Sequence, residues 1–102
     1  MATNGKTKEP TARREAADET TSSERLAALA EESDAVARIV AKNPSAPVDL
    51  LRVLGRSEDE ATRKNVILNP FASFDILSDL ENEFPEIFLN NSSLEFYNSI
   101  KP

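Results

Sequence analysis

The 102-residue chain has neither cysteine nor histidine. Without cysteine, disulfides, thiolate metal sites and iron–sulfur clusters are excluded. Without histidine, the usual neutral-pH general base and the commonest metal ligand are missing. Long hydrophobic runs are absent as well: nothing approaches the roughly 18 apolar residues of a membrane span. The N-terminus carries no apolar core, so it does not read as a secretory signal. These absences place the chain in the cytoplasm, away from membranes. The groups left for chemistry are carboxylates, Lys, Ser, Thr and one tyrosine. No nucleophile–base pair can be assembled from them by any recognised motif. The expectation is a protein without catalytic, cofactor-binding or metal-binding residues.

Net charge is −6 and unevenly placed. Residues 25–70 carry seven basic and seven acidic side chains, whereas residues 71–102 carry six acidic ones against Lys101 alone. Phosphate recognition needs the opposite sign, so nucleic acid is not an expected ligand. The carboxylate cluster Glu58-Asp59-Glu60 lacks the alternating ligand spacing of a calcium loop. It reads instead as an acidic first helical turn favoured by the helix dipole.

Residues 2–25 contain no apolar side chain larger than alanine. Such a segment cannot bury enough surface to offset its ordering entropy. Residues 1–21 are therefore expected to be a disordered tail, with residues 22–102 forming the folded domain. Within the tail, the stretch from Arg13 to Asp18 is a fair helix former that could order on a partner.

From Leu26 onward the apolar spacing is helical. Leu26, Leu29 and Ala30 follow a possible capping box at Thr21 and Glu24. Val36, Ile39 and Val40 follow Asp34 as N-cap, and that helix must stop at Asn43-Pro44. Val48, Leu51 and Leu54 follow Ser45 and Pro47 and end at Gly55. A box at Ser57 and Glu60 opens a helix with Val66 and Ile67 that stops at Asn69-Pro70. Further segments carry Phe74, Leu77 and Leu80, then Phe84, Ile87 and Phe88. A last one, after Asn90-Asn91 and a box at Ser92 and Glu95, carries Leu94, Phe96, Tyr97 and Ile100.

These segments repeat. Asn43-Pro44 recurs 26 residues later as Asn69-Pro70. Leu26 and Leu29 recur as Leu51 and Leu54, then as Leu77 and Leu80. A fixed short period of helices points to stacked units, none able to bury its apolar face alone. The Asn-Pro steps read as structural, because asparagine tolerates unusual backbone angles and proline forbids continuation.

The order of these motifs resembles the bacterial leucine-rich repeat variant family. That family's unit runs through a Val-Arg pair, a Val-Ala pair, Asn-Pro, a further proline and a Leu-x-x-Leu helix. Here Val36, Val40-Ala41, Asn43-Pro44, Pro47 and Leu51-x-x-Leu54 follow that order. So do Thr62-Arg63, Val66-Ile67, Asn69-Pro70 and Leu77-x-x-Leu80. The resemblance covers roughly residues 26–92. It implies a right-handed stack of alternating α- and shorter 3₁₀-type helices without β-sheet. Departures are Ala37 in the arginine position with Arg38 one place late, Ser73 and Asn91 in proline positions, and a shortened last unit. An iron–sulfur cluster carried by one cysteine-rich member of the family cannot be transferred to this chain. The expected fold is thus all-α: a short right-handed helical solenoid of about three repeats of roughly 25 residues.

A solenoid without catalytic machinery is expected to bind another protein, as a monomeric scaffold or adaptor. The alternative is a small acidic inhibitor or immunity-type protein that blocks a basic site on an enzyme or toxin. All six aromatics lie within residues 71–97, among the acidic side chains. Phe84, Phe88 and Phe74 share the core stripe. Phe71, Phe96 and Tyr97, with Asp79 and Glu83, are the candidate partner-binding residues. Arg63 is expected to be structural, holding helix-end carbonyls.

Overall fold

The computed structural model describes residues 8–88. Seven α-helices follow one another: α1 (Glu9–Ala17), α2 (Ser23–Ala30), α3 (Asp34–Lys42), α4 (Val48–Leu54), α5 (Glu60–Leu68), α6 (Phe74–Glu81) and α7 (Pro85–Phe88). No strand occurs among the described residues. The capping segment at Ser92 and Glu95, the Asn90-Asn91 stop, and the side chains of Ile87 and Phe88 lie outside the described residues.

Cap chemistry sets the helix starts. Ser22 accepts from the Arg25 N–H (3.1 Å), Ser33 from that of Val36 (3.2 Å) and Asp59 from that of Thr62 (3.0 Å). Each lies one or two residues from the position expected at Thr21, Asp34 and Ser57. Ser57 instead accepts from the Asp59 N–H (3.0 Å), one step ahead of the true cap. The helix ends at Asn43 and Asn69 fall where proline requires them. Gly55 caps α4 in the right-handed helical region, at φ −68°, so no left-handed conformation is used there. The shorter helices α2, α4 and α6 are α-helical, not 3₁₀ as the family resemblance implied. They open with four-residue bonds from Leu26 to Ser22, Leu51 to Pro47 and Leu77 to Ser73.

Helix α3 packs between α1 and α5, and α2, α4 and α6 pack beside them. The core is the expected one over most of its length. Leu26, Leu29, Leu51 and Leu54 are buried with Leu77 and Leu80, and Val36, Val40, Ala41, Val66 and Ile67 pack with them. Phe84 is buried, but Phe74 is 40% exposed and does not belong to the core stripe as expected. It stands at the first position of α6, equivalent to Val48 on α4, and both sit outside the stripe that Leu77 and Leu51 define.

The N-terminal segment differs from expectation. Helix α1 lies within the segment assigned to a disordered tail, and Ala12 and Ala16 are fully buried. Large apolar side chains are not needed because alanine lets helix backbones approach closely, and polar ties complete the docking. Arg25 pairs with Glu15 at 2.7 Å, the Thr21 hydroxyl donates to the Glu15 carbonyl at 2.7 Å, and the Ser45 hydroxyl donates to the Glu19 carbonyl at 2.5 Å.

The same join recurs down the chain. Asp18, Asn43 and Asn69 end α1, α3 and α5 with nearly identical backbones: φ −80°, −74°, −75° and ψ 121°, 123°, 123°. In each, the side-chain Oδ1 accepts from the N–H two residues on, at Thr20 (2.8 Å), Ser45 (2.7 Å) and Phe71 (2.8 Å). In each, the backbone carbonyl accepts from the N–H three residues on. The two asparagines also donate backwards. Asn43 Nδ2 reaches the carbonyls of Ala16 (2.8 Å) and Asp18 (3.0 Å). Asn69 Nδ2 reaches those of Ala41 (2.9 Å) and Asn43 (3.0 Å). Asparagine is required for this amide, not for unusual backbone angles, since the φ and ψ here are open to any residue.

Two outcomes follow for stability. Asn69→Ala withdraws the amide donor from the Ala41 and Asn43 carbonyls, the latter keeping the Ala46 N–H, and should cost about 1–3 kcal/mol in urea unfolding. Asn69→Asp keeps the acceptor but sets a charge against those carbonyls, and should cost at least as much. Deleting residues 1–20 strips Ala12, Ala16 and both acceptors of Asn43, and should lower stability by about 2 kcal/mol or more. An unchanged thermal midpoint in the truncated chain would show that α1 does not pack.

Candidate partner-binding surface

Ion pairs tie successive helices along the surface. Asp59, the N-cap of α5, accepts from Arg38 of α3 through both oxygens, at 2.7 and 2.8 Å. It also accepts from the buried Thr62 hydroxyl at 2.7 Å. Arg63 donates to both oxygens of Glu83, at 2.6 and 3.1 Å, and to the Ser57 carbonyl at 2.6 Å. Its guanidinium lies 5.8 Å from the Phe84 ring centroid, with the Lys64 ammonium at 5.7 Å. Arg52 of α4 pairs with Asp75 of α6 at 3.0 Å and with Asp49 at 3.2 Å. Arg63 thus ties the fold through Glu83 and the Ser57 carbonyl in the turn before its own helix, not through helix-end carbonyls of the next unit as expected.

Three of the paired carboxylates, Glu15, Asp59 and Asp75, are lowered in pKa by their partners. The Arg25 guanidinium lowers the Glu15 carboxyl below its ordinary value. Arg38, with Thr62, holds Asp59 far below the carboxylate range. Ser73 and then Arg52 lower Asp75.

Among the described residues, depressions lie between the helices. One, of about 430 Å³, is bordered by Ala17, Arg38, Lys42 and Asn65, and Asp59 already engages its arginine. A second, of about 400 Å³, runs between α2 and α4. Ala27, Ala30, Leu50 and Val53 give it apolar walls, and Glu31 and Asp49 add two exposed carboxylates. A third, between α4 and α6, is nearly closed at about 20 Å³. The exposed apolar side chains among the described residues are Val48, Val53, Leu68, Phe71 and Phe74, with Val53 at 66% and Phe71 at 60%.

Compared with known protein families, residues 10–70 match the Leucine Rich Repeat Variant domain. The chain belongs to the leucine-rich repeat variant family. Neither the comparison with curated proteins nor that with solved structures gave a match. The match opens within α1, well before the Leu26 start read from the residues, and closes at Pro70, before α6. Helix α1 is therefore inside the leucine-rich repeat variant domain. No helix among the described residues is long and apolar enough to cross a membrane. No cluster of three potential ligands for a metal ion occurs among them either.

The five residues singled out for partner binding do not converge on one described site. Phe71 is well exposed on the turn after Asn69-Pro70. Asp79 lies in the nearly closed cleft beside Arg52 and Arg56. Glu83 is held by Arg63 and serves the fold. Phe96 and Tyr97 lie outside the described residues. What the residue reading passed over is the α2–α4 groove. Its signal was Val53, an apolar residue off the Leu51-x-x-Leu54 stripe.

The ion pairs make stability depend on pH. A carboxyl lowered in the folded state binds fewer protons there than in the unfolded chain, so its contribution is complete above the ordinary carboxylate range and lost as pH falls. Urea midpoints should therefore hold from neutrality to about pH 5 and decline between about pH 4 and pH 2. Asp59→Asn should flatten that decline. A wild-type midpoint constant to pH 2 would contradict the ionic role of these arginines.

Proposed function

We propose that this chain is a non-enzymatic protein-interaction module. It is built as a right-handed solenoid whose units begin at α1, α3 and α5, so the repeat domain starts about a dozen residues ahead of residue 22. The reading rests on one observation above all: the Asp18, Asn43 and Asn69 joins share backbone angles and bonding, which is how stacked copies of one unit meet. The family match supports it, since repeat stacks of this kind offer extended surface without a catalytic pocket. Binding is assigned to the side formed by α4, α6 and the turn before α6, where Val53, Phe71 and Phe74 are exposed. Apolar and aromatic side chains held on rigid helices are suited to interface anchoring. Asp79, in the same stretch of α6, supplies charge for steering.

The inhibitor reading asks for a broad acidic face. Asp75 and Glu83 are both neutralised by arginines of this chain, which reduces that face and favours the interaction module. The proposed module acts as a monomer in the cytoplasm.

Affinity capture from the source cell, with the wild-type chain beside Val53→Asp and Phe71→Ala, tests the function. A specific partner should be retained by the wild type at both low and high salt, and each variant should lose about tenfold or more in affinity at unchanged helicity. Loss of the partner at high salt alone would restore the inhibitor reading. Equal retention by all three proteins would move the interface elsewhere.

A further inference from the structure

The two clefts flanking α4 occupy equivalent places in successive units. Leu26, Leu51 and Leu77 are buried at the same helical position of α2, α4 and α6. In that register Ala27 corresponds to Arg52, Asp49 to Asp75, and Leu50 to Ile76. Between α4 and α6 the cleft is filled. Arg52 spans it and donates to Asp75 through Nε (3.3 Å) and Nη2 (3.0 Å), leaving about 20 Å³. Between α2 and α4 the arginine is replaced by Ala27, and a groove of about 400 Å³ stays open. The acceptor is nevertheless kept: the Asp49 side chain is 98% exposed. Glu31 adds a second carboxylate on the opposite wall.

The open groove keeps the carboxylate of its closed counterpart, lacks the arginine that fills it, and has Glu31 and Val53 where the closed cleft has Arg56 and Asp79, a lining that favours a cationic side chain with an apolar stem. A guanidinium matches a carboxylate with two donors, and its methylene stem covers apolar wall. We propose that the α2–α4 groove receives an arginine side chain from a partner protein. The stem lies along Ala27, Ala30, Leu50 and Val53, and the guanidinium meets Asp49 as Arg52 meets Asp75. Arg52 itself donates to Oδ1 of Asp49 at 3.2 Å, which orients the carboxylate and leaves Oδ2 for the incoming fork. This inference rests on the interaction-module reading and adds the chemistry of the partner: an arginine set between apolar residues.

The test is a nitrogen-15 amide-shift titration of the full chain with acetyl-leucyl-arginyl-leucine amide, and in parallel with the glutamyl analogue. The arginyl peptide should shift amides of residues 27–31 and 49–54, and the glutamyl peptide should not. Ala27→Arg places the side chain of the closed cleft in the open one and should abolish the response. Asp49→Asn, at an exposed position that does not threaten folding, should weaken it about two- to fivefold and remove its salt dependence. If Ala27→Arg does not fold, Asp49→Asn alone decides. The proposal is overturned by equal binding of both peptides, by shifts confined to other residues, by no shifts at all, or by a response that Asp49→Asn leaves unchanged. Such results would leave the interaction module standing, because that reading is judged by partner capture with the Val53 and Phe71 variants.

Discussion

The side-chain amide of Asn43 and its copy at Asn69 are what the described fold depends on. Each amide offers two N–H donors and one carbonyl acceptor, and each group has a specific task. The donors close the end of α1 or α3, and the acceptor shapes the turn that follows. Because both residues are buried, unpaired groups here would be costly, so the bonds specify register as well as adding stability. No other side chain fits. Aspartate lacks the donors, glutamine is a methylene too long, and an apolar residue would withdraw a donor from both carbonyls.

Around this neutral, buried join runs a set of charged ties on the surface. Arg25–Glu15 and Arg52–Asp75 each connect one helix with another, Arg38–Asp59 connects α3 with the N-cap of α5, and Arg63–Glu83 connects α5 with the turn between α6 and α7. Exposed pairs of this sort contribute modestly and weaken in salt. Arg38–Asp59 is the most embedded, because Asp59 caps a helix while pairing across helices. The described fold thus has a neutral, hydrogen-bonded interior and a titratable rim. Two of the acidic residues that made the C-terminal third look like a bare electrostatic surface belong to that rim. Counting charges along a sequence cannot show which are already matched across a gap of some twenty residues.

Much of the fold was legible because its signals are local. Proline fixes a helix end whatever surrounds it, and the Leu-x-x-Leu pattern marks its own buried face. Helix α1 was not legible. Its apolar content is alanine alone, and its counterpart of Asn-Pro is Asp18-Glu19, which shares neither the amide nor the proline. The likeness of Asp18 to Asn43 and Asn69 lies in its bonds and backbone angles, not in its identity. Of the partner-binding candidates, Phe71 is exposed, while Glu83 is occupied by an arginine 20 residues earlier, a pairing that no local pattern announces. The α2–α4 groove had one positive mark, Val53 off the leucine stripe, while its opening depends on what is small at Ala27, where a missing side chain leaves none.

The joins also allot where the chain can change length. From Asp18 to Leu26, Asn43 to Leu51 and Asn69 to Leu77 the distance is eight residues each time. From Leu29 to Asn43 it is 14, and from Leu54 to Asn69 it is 15. The extra residue falls in the turn between α4 and α5, on the far side of the unit from the asparagine. One edge of the stack is therefore metrically rigid, and the other is elastic. Insertions at the elastic edge keep every amide opposite its carbonyls, so new loops can be grafted there without unthreading the stack. A single residue inserted at the rigid edge would turn the following helix by about 100° and take its leucines out of the core.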